Sequence, residues 1–200
     1  IKYKDALFNS DVNIFDSGIF VFFLWLVKIK VNKYSGYLFF EDILNYMVKN
    51  NINNYLFIDP SIDESIKNKE YMKVFIPSII SAYIAPVYKN NTDDYKLLHL
   101  IKKTKPRVIV INLGGGIQER LGVFIKKNID YPAIIVCTGA AVSFFTKSQA
   151  PINNFVDKYF IGWLWRCFYN PKVFVPRYFK AIKFIPFFFC NKKTIKIINR

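Results

Sequence analysis

The sequence predicts an α/β fold: a parallel sheet flanked by helices, with a basic, aromatic, helical C-terminal appendage. Short apolar runs alternate with amphipathic segments, as in βαβ units. Two of these runs end in small-residue turns, Gly114 to Gly116 and Gly139 to Ala141. Beyond Asp157 the chain carries no acidic residue, and basic residues are interleaved with aromatic ones. We therefore expect a core over residues 1–157 and an appendage over 158–200.

The central stretch is VIVINLGGGIQER, residues 108–120. Its apolar run, Val108 to Leu113, follows Pro106 and is typical of a buried strand in a parallel sheet. The three glycines permit a sharp turn and a close ligand, and Gln118 and Glu119 then open an amphipathic helix. Ligands of such folds bind beyond the carboxyl ends of the strands, so polar recognition is expected at Gln118. A tight turn with an ordinary surface Gln and Glu is the alternative.

The other elements follow from periodicity and turn residues. One helix is expected to end near Phe8, and further helices are expected over Ile19 to Val27, Phe39 to Lys49, Ser61 to Lys73 and Asp93 to Lys103. Thr92 is the expected cap of the last of these helices. Strands or extended segments are expected over Asp11 to Asp16, Tyr55 to Ile58, Ile79 to Val87 and Ala133 to Thr138. We expect the apolar Ile19 to Val27 helix to be buried. It is shorter than the roughly 20 residues that span a bilayer, and a membrane-dipping position stays open.

The composition indicates the class of partner. The net charge is +15, from 29 basic and 14 acidic residues, which favours an anionic partner. Cys137, Cys167 and Cys190 lack the spacing of a disulfide framework or a zinc site, so a reducing, cytosolic setting is expected. The basic aromatic appendage suits an anionic membrane surface. Packing against the sheet and binding to single-stranded nucleic acid are the alternatives.

An ordered series of motifs carries a family resemblance. The matching pieces are Asp16 with Gly18, Lys33 to Gly36, Leu113 to Glu119, Gly139 to Pro151 and Gly162 to Tyr178. In this order and spacing they resemble the WecB/TagA/CpsF family of bacterial glycosyltransferases, and the pattern is closer to its exopolysaccharide and capsule branches. The expected enzyme inverts configuration, and the sequence lacks the acidic D-x-D cluster of metal-dependent transferases, so no metal or other cofactor is expected. It would move a hexose or N-acetylhexosamine from a UDP-sugar to a polyprenyl-diphosphate-linked glycan.

The resemblance, for Asp16, and the chemistry of sugar transfer, for the other residues, predict individual roles. Asp16 would be the catalytic base and Gln118 would orient the donor; a turn cap is the plain alternative for Asp16. Donor contacts would come from Gly18, Gly114, Gly115, Gly116, Glu119, Thr138, Gly139 and Ala140. Arg166 and Arg177 would contact the diphosphate or, alternatively, lipid headgroups. The enzyme would be cytoplasmic and peripheral on the inner face of the plasma membrane, with no nucleic-acid partner expected and self-association left open.

Several positions depart from the family pattern. Gly116 and Ile117 stand where the family has Pro-Lys, Val142 and Ser143 where it often has Phe-Asp, Gln149 where it has Arg, and Gly162 where it has Glu. The family's first strand would lie before Ile1, so we expect an N-terminal segment to be missing. These departures leave a second hypothesis open: a non-catalytic membrane scaffold or RNA-binding module with a degenerate Rossmann-like core.

Overall fold

The computed structural model describes residues 2–76, 81–139, 141–146 and 171–182, together with positions 164, 167, 168, 186 and 190. The chain forms two compact units. The first unit comprises Ile1–Ile14 and Tyr34–Pro151, and the second comprises Phe15–Lys33 and Ile152–Arg200. The boundary predicted after residue 157 falls outside the described residues.

The first unit contains a parallel sheet, which confirms the predicted α/β class. Its described strands are β1 (Tyr55–Asp59), β2 (Ser81–Ile84), β3 (Val108–Ile111) and β4 (Ile134–Val136). Their order is β2-β1-β3-β4, and every pairing is parallel. The carboxyl ends of all four strands therefore meet at one edge of the sheet, which is where ligands bind in open α/β folds.

The described helices fall on both sides of this sheet and in the second unit. They are α1 (Tyr3–Asn9), α2 (Gly18–Leu26), α3 (Gly36–Lys49), α4 (Ile62–Phe75), α5 (Tyr95–Thr104), α6 (Ile117–Asn128), α7 (Ala141–Phe145) and α8 (Pro171–Ile182). Helices α2 and α8 belong to the second unit. In the described part of the chain, no helix is both long enough and apolar enough to cross a membrane.

Alternate residues of the strands divide between two hydrophobic clusters. Phe57 and Val110 belong to the cluster that α3 and α4 cover, whereas Ile58 and Ile109 belong to the cluster that α5 and α6 cover. All four residues are at most 1% exposed, and burying each such side chain contributes about 1.5–3 kcal/mol. A sheet covered on both faces explains why Tyr55 to Ile58 of β1 and the whole of β3 are continuously apolar rather than alternating.

Hydroxyl and carboxylate side chains begin four of the helices. Ser17, Ser35 and Ser61 each accept a hydrogen bond from the backbone N–H three residues later. The residue that caps α5 is Asp94, whose Oδ1 accepts from Leu97 N at 2.9 Å. The prediction of Thr92 as this cap was wrong. Asp94 also binds two tyrosines of the neighbouring segment, a tertiary contact that periodicity does not reveal.

Residues 11–16 form no strand, contrary to the prediction from their alternating pattern. Their polar side chains bind helices instead. Asp11 pairs with Lys126 of α6 at 2.7 Å, and Asn13 Nδ2 donates to the Leu7 carbonyl oxygen of α1 at 3.0 Å. These contacts hold the start of the segment against α1 and α6, so the alternation does not lead to sheet pairing.

The apolar helix α2 is buried on one side only. Val21 and Leu24 are buried, but Phe22, Trp25 and Leu26 are 53%, 46% and 49% exposed. The prediction of a buried helix is therefore correct for the side with Val21 and Leu24 and wrong for the side with Phe22, Trp25 and Leu26, and the membrane-dipping position stays a prediction.

Candidate active site

Three polar residues stand in line at the carboxyl ends of β1, β3 and β4. Phe57 is the register partner of Val110, and Val110 is the partner of Val136. Side chains two residues apart point to the same face of a strand. Asp59, Asn112 and Thr138 lie two residues beyond these partners, and we call them the polar row. Asp59 is 0% exposed and Asn112 is 6% exposed.

The polar row is only partly hydrogen-bonded. Asp59 Oδ1 accepts from Asn68 Nδ2 of α4 at 2.8 Å and from Asn112 Nδ2 at 2.7 Å. Among the described residues, Asp59 Oδ2, Asn112 Oδ1 and Thr138 Oγ1 are buried without a hydrogen-bond partner. Burial raises the pKa of Asp59, although the hydrogen bonds from Asn112 and Asn68 and the nearby Ser65 hydroxyl oppose this effect. Buried polar atoms without partners are costly and uncommon, so each of these three atoms needs a physical explanation.

The two glycine turns are joined by one side chain, Gln118. Its Oε1 accepts from Gly139 N at 2.7 Å, and its Nε2 donates to the Cys137 carbonyl oxygen at 3.2 Å and to Glu119 Oε1 at 3.0 Å. Glu119 Oε2 in turn accepts from Gly116 N at 2.6 Å. The carboxamide of Gln118 is thus used to hold the ends of β3 and β4 in a fixed relation.

The turns use glycine for two different reasons. Gly116 and Gly139 have φ values of 86° and 60°, a backbone region that favours glycine. Gly114 and Gly115 are exposed, and a Cβ built on either would meet no atom within 4 Å. The backbone at these two positions is therefore open to a ligand.

A cavity of about 610 Å³ lies between α1, α6 and β4 in the first unit. Its lining includes Glu119 and Thr138 from the site, together with Lys126, Tyr131 and Cys137. Ligand pockets typically measure about 300–1,000 Å³. Burial, with a smaller effect from the Glu119 carboxylate, raises the pKa of Cys137 to about 12, so this thiol is not a nucleophile at neutral pH.

The structure gathers most of the predicted donor residues at one edge of the sheet. Gly114, Gly115, Gly116, Gln118, Glu119, Thr138 and Gly139 all lie at or just beyond the carboxyl ends of β3 and β4. Asp16 and Gly18 belong to the second unit, where Asp16 is exposed and Gly18 is the first residue of α2. Ala140 and Arg166 lie outside the described residues, as does the side chain of Arg177 in α8.

Sequence reasoning missed Asp59 and Asn68. Asp59 directly follows the apolar run Tyr55 to Ile58, just as Asn112 sits near the end of the next strand of the sheet. A polar residue at the end of each of two buried strands was the available signal. Asn68 gave no such signal because it lies in the middle of a polar helix.

No group of three or more His, Cys, Asp or Glu side chains suited to a metal ion occurs among the residues that the structure describes. The expectation of metal-independent chemistry stays a prediction.

No curated protein matches this chain. Residues 1–197 match the glycosyl transferase WecG/TagA/CpsF family, which is nearly the full length of the 200-residue chain. The match agrees with the motif order from Asp16 to Tyr178 and with the glycine turns at the carboxyl edge of the parallel sheet. The chain therefore belongs to the WecG/TagA/CpsF family and is a glycosyltransferase of cell-surface polysaccharide synthesis.

Proposed function

We propose that this enzyme moves a hexose or N-acetylhexosamine from a UDP-sugar to a polyprenyl-diphosphate-linked glycan, with inversion and without a metal ion. Family membership supports a nucleotide-sugar donor and a lipid-linked acceptor. The observation that carries the donor site is the pair of glycine turns joined by Gln118 beside a cavity of about 610 Å³. Exposed backbone at Gly114 and Gly115 gives a sugar or a diphosphate room to approach.

In the proposed reaction, Asp16 accepts the proton of the acceptor hydroxyl. The acceptor oxygen then forms a bond to the anomeric carbon while the bond from that carbon to the diphosphate oxygen breaks, and UDP departs. General-base catalysis of this kind contributes about 10²–10⁴-fold to the rate. Arg166 and Arg177 are proposed to offset the charge that develops on the departing diphosphate, because guanidinium groups form paired hydrogen bonds with phosphate oxygens.

We propose that the enzyme works at the inner face of the plasma membrane, held there by the appendage over residues 158–200. The appendage has no acidic residue, and its lysines and arginines are interleaved with Trp, Tyr and Phe. Basic and aromatic side chains in this mixture bind anionic lipid surfaces reversibly.

The test is transfer from a panel of UDP-sugars to a short-chain polyprenyl-diphosphate glycan by the wild type, Asp16→Asn and Asp5→Asn. Asp5 is an exposed carboxylate on α1 and serves as the matched control. We expect turnover with one donor, a loss of about 10²-fold or more in kcat for Asp16→Asn, and wild-type rates for Asp5→Asn. Turnover that survives in Asp16→Asn would assign the base elsewhere. Absence of donor binding would favour the scaffold hypothesis.

A further inference from the structure

The side chains of Asp59 and Asn112 form a half-completed pair. Asn112 Nδ2 donates to Asp59 Oδ1 at 2.7 Å, while the second oxygen of Asp59 and the amide oxygen of Asn112 lack partners. If Asp59 were ionised, both of these atoms would be hydrogen-bond acceptors in a place that water does not reach. A buried acceptor that lacks a hydrogen bond destabilises the folded state. One proton on Asp59 Oδ2 supplies the donor that both atoms need.

We propose that Asp59 is protonated in the folded enzyme, that it forms a cyclic acid–amide pair with Asn112, and that this pair makes Asp59 a positioning residue for donor binding. The pair consists of two planar groups that exchange two hydrogen bonds. One of the two bonds is the observed Asn112-to-Asp59 contact, and the other runs from Asp59 Oδ2–H to Asn112 Oδ1. The donor-binding part of this inference rests on the proposed function.

The pair lies where β3 ends and the first glycine turn begins. Asn112 N donates to the Ile58 carbonyl oxygen at 2.9 Å, so the backbone and the side chain of Asn112 both attach the end of β3 to β1. Two residues later, the Gly114 carbonyl oxygen accepts from Ile117 N and from Gln118 N, each at 3.2 Å. A shift at Asn112 therefore moves the turn whose exposed glycines are proposed to face the donor.

The surroundings of Asp59 favour its neutral form. Burial is the largest influence, and it raises the pKa of Asp59. Two charged groups of α4 also interact with Asp59. Lys69 lowers the pKa of Asp59, and a negative charge on Asp59 raises the pKa of Glu64. The two side chains that donate hydrogen bonds to Asp59 Oδ1, those of Asn68 and Asn112, carry no charge.

Asp59→Asn is the decisive variant because an amide in this position can form the same two-bond pair without a titrating proton. The first test is to measure the Tm of the wild type and of Asp59→Asn across a pH series. A raised pKa in the folded state means that the pair is intact at low pH and is lost as the pH rises through that pKa. The wild type should therefore lose stability relative to Asp59→Asn as the pH rises from about 3.8, the ordinary Asp value. Parallel Tm curves for the two proteins would overturn the protonated pair.

An infrared difference spectrum between the wild type and Asp59→Asn provides an independent readout of the proton. We expect the carbonyl band of a protonated carboxyl group in the wild type at neutral pH. A carboxylate band in its place would overturn the proposal. Neither the Tm series nor the infrared spectrum requires transferase activity, so failure of the proposed function would remain distinguishable from failure of this inference.

The positioning role is tested by kinetics with the UDP-sugar that turns over. We expect the donor KM of Asp59→Leu to rise about tenfold or more, with a smaller change in kcat, because the turn is misplaced while the reacting groups are retained. Leu44→Ala, a core truncation on α3, is the matched control for lost stability and should keep the wild-type KM. If Asp59→Leu does not fold, the KM of the wild type should still rise with pH while that of Asp59→Asn stays flat. A donor KM that does not respond to either change would overturn the positioning role.

Discussion

Gly114 and Gly139 belong to the same site, yet they differ in what a side chain would meet. A Cβ at Gly139 would lie 3.4 Å from the Leu113 carbonyl oxygen, and the backbone there has a φ of 60°. Gly114 has open space around it. Gly139 is therefore required by the fold itself, whereas Gly114 is available for a role in binding.

Gly139→Ala should destabilise the protein by about 1–2 kcal/mol because a residue with a Cβ pays that amount in the left-handed region. Gly114→Ala should leave the free energy of unfolding within about 0.5 kcal/mol of the wild type, as is usual for exposed positions. Urea unfolding of both variants checks this difference. Gly114→Ala should nevertheless raise the donor KM if the turn approaches the donor, and equal destabilisation by the two substitutions would contradict the assignment.

At the scale of elements, Asp94 joins the start of α5 to β2 and to the segment that follows β2. Its Oδ1 accepts from Leu97 N, and its Oδ2 accepts from Tyr83 and Tyr88 hydroxyls at 2.9 Å and 2.7 Å. Burial alone would raise the pKa of Asp94, but these hydrogen bonds outweigh it and lower the pKa. Burial and the Asp94 carboxylate together raise the pKa of Tyr83 to about 12, so the tyrosine remains a donor at neutral pH.

Asp94→Ala should destabilise the protein by about 2–3 kcal/mol, because a cap contributes about 1 kcal/mol and two tyrosine hydroxyls lose a charged acceptor. The lowered pKa of Asp94 gives the sign of the pH effect. The stabilisation by Asp94 is fully present above the pKa that it has in the unfolded chain, and it is lost as the pH falls from that value through the lower pKa of the folded state. Thermal unfolding at neutral and acid pH measures both effects. The difference in stability between the wild type and Asp94→Ala should shrink on acidification, whereas Asp59 should act in the opposite direction. A difference that stays constant with pH would contradict the cap.

The elements that the sequence predicted well are those whose own residues determine them. The β3 strand and the α6 helix follow from an apolar run, three glycines and an amphipathic repeat, and the structure contains both with shifts of a few residues. Tertiary contacts account for the failures. Residues 11–16 bind α1 and α6 through Asp11 and Asn13, and α5 is capped by Asp94, which Tyr83 and Tyr88 also bind.

The same distinction applies to the site. Gly114 to Gly116 and Gly139 could be located from sequence because glycine turns after strands are a local pattern. The polar row could not be located from sequence, since it depends on the strand register that places Asp59 beside Asn112, 53 residues later in the chain. Gln118 was found, but its contact with Gly139 required the fold. Partner choice across a sheet is a property of packing that short-range patterns do not encode.

At the scale of the whole molecule, the charge is unevenly distributed along the chain. All 14 acidic residues lie at or before Asp157, and the excess of positive charge is concentrated after it. Salt screens the attraction between such a segment and an anionic surface, with a Debye length of about 8 Å at physiological ionic strength. The segment that we propose to bind the membrane is therefore also the one most sensitive to ionic strength.

Binding to vesicles that contain phosphatidylglycerol should fall steeply with salt and should depend on the appendage. Replacing Lys192, Lys193 and Lys196 with Gln should weaken binding roughly 100-fold, since each lysine near an anionic surface contributes about 1 kcal/mol. Replacing Lys102, Lys103 and Lys105, at the end of α5 and just beyond it, removes the same charge from the first unit and is the matched control. Co-sedimentation at two salt concentrations measures both variants. If the two triple substitutions weakened vesicle binding equally, binding would depend on the net charge of the whole protein and not on the appendage. Only a contact made by the appendage itself would make its lysines more important than those of α5.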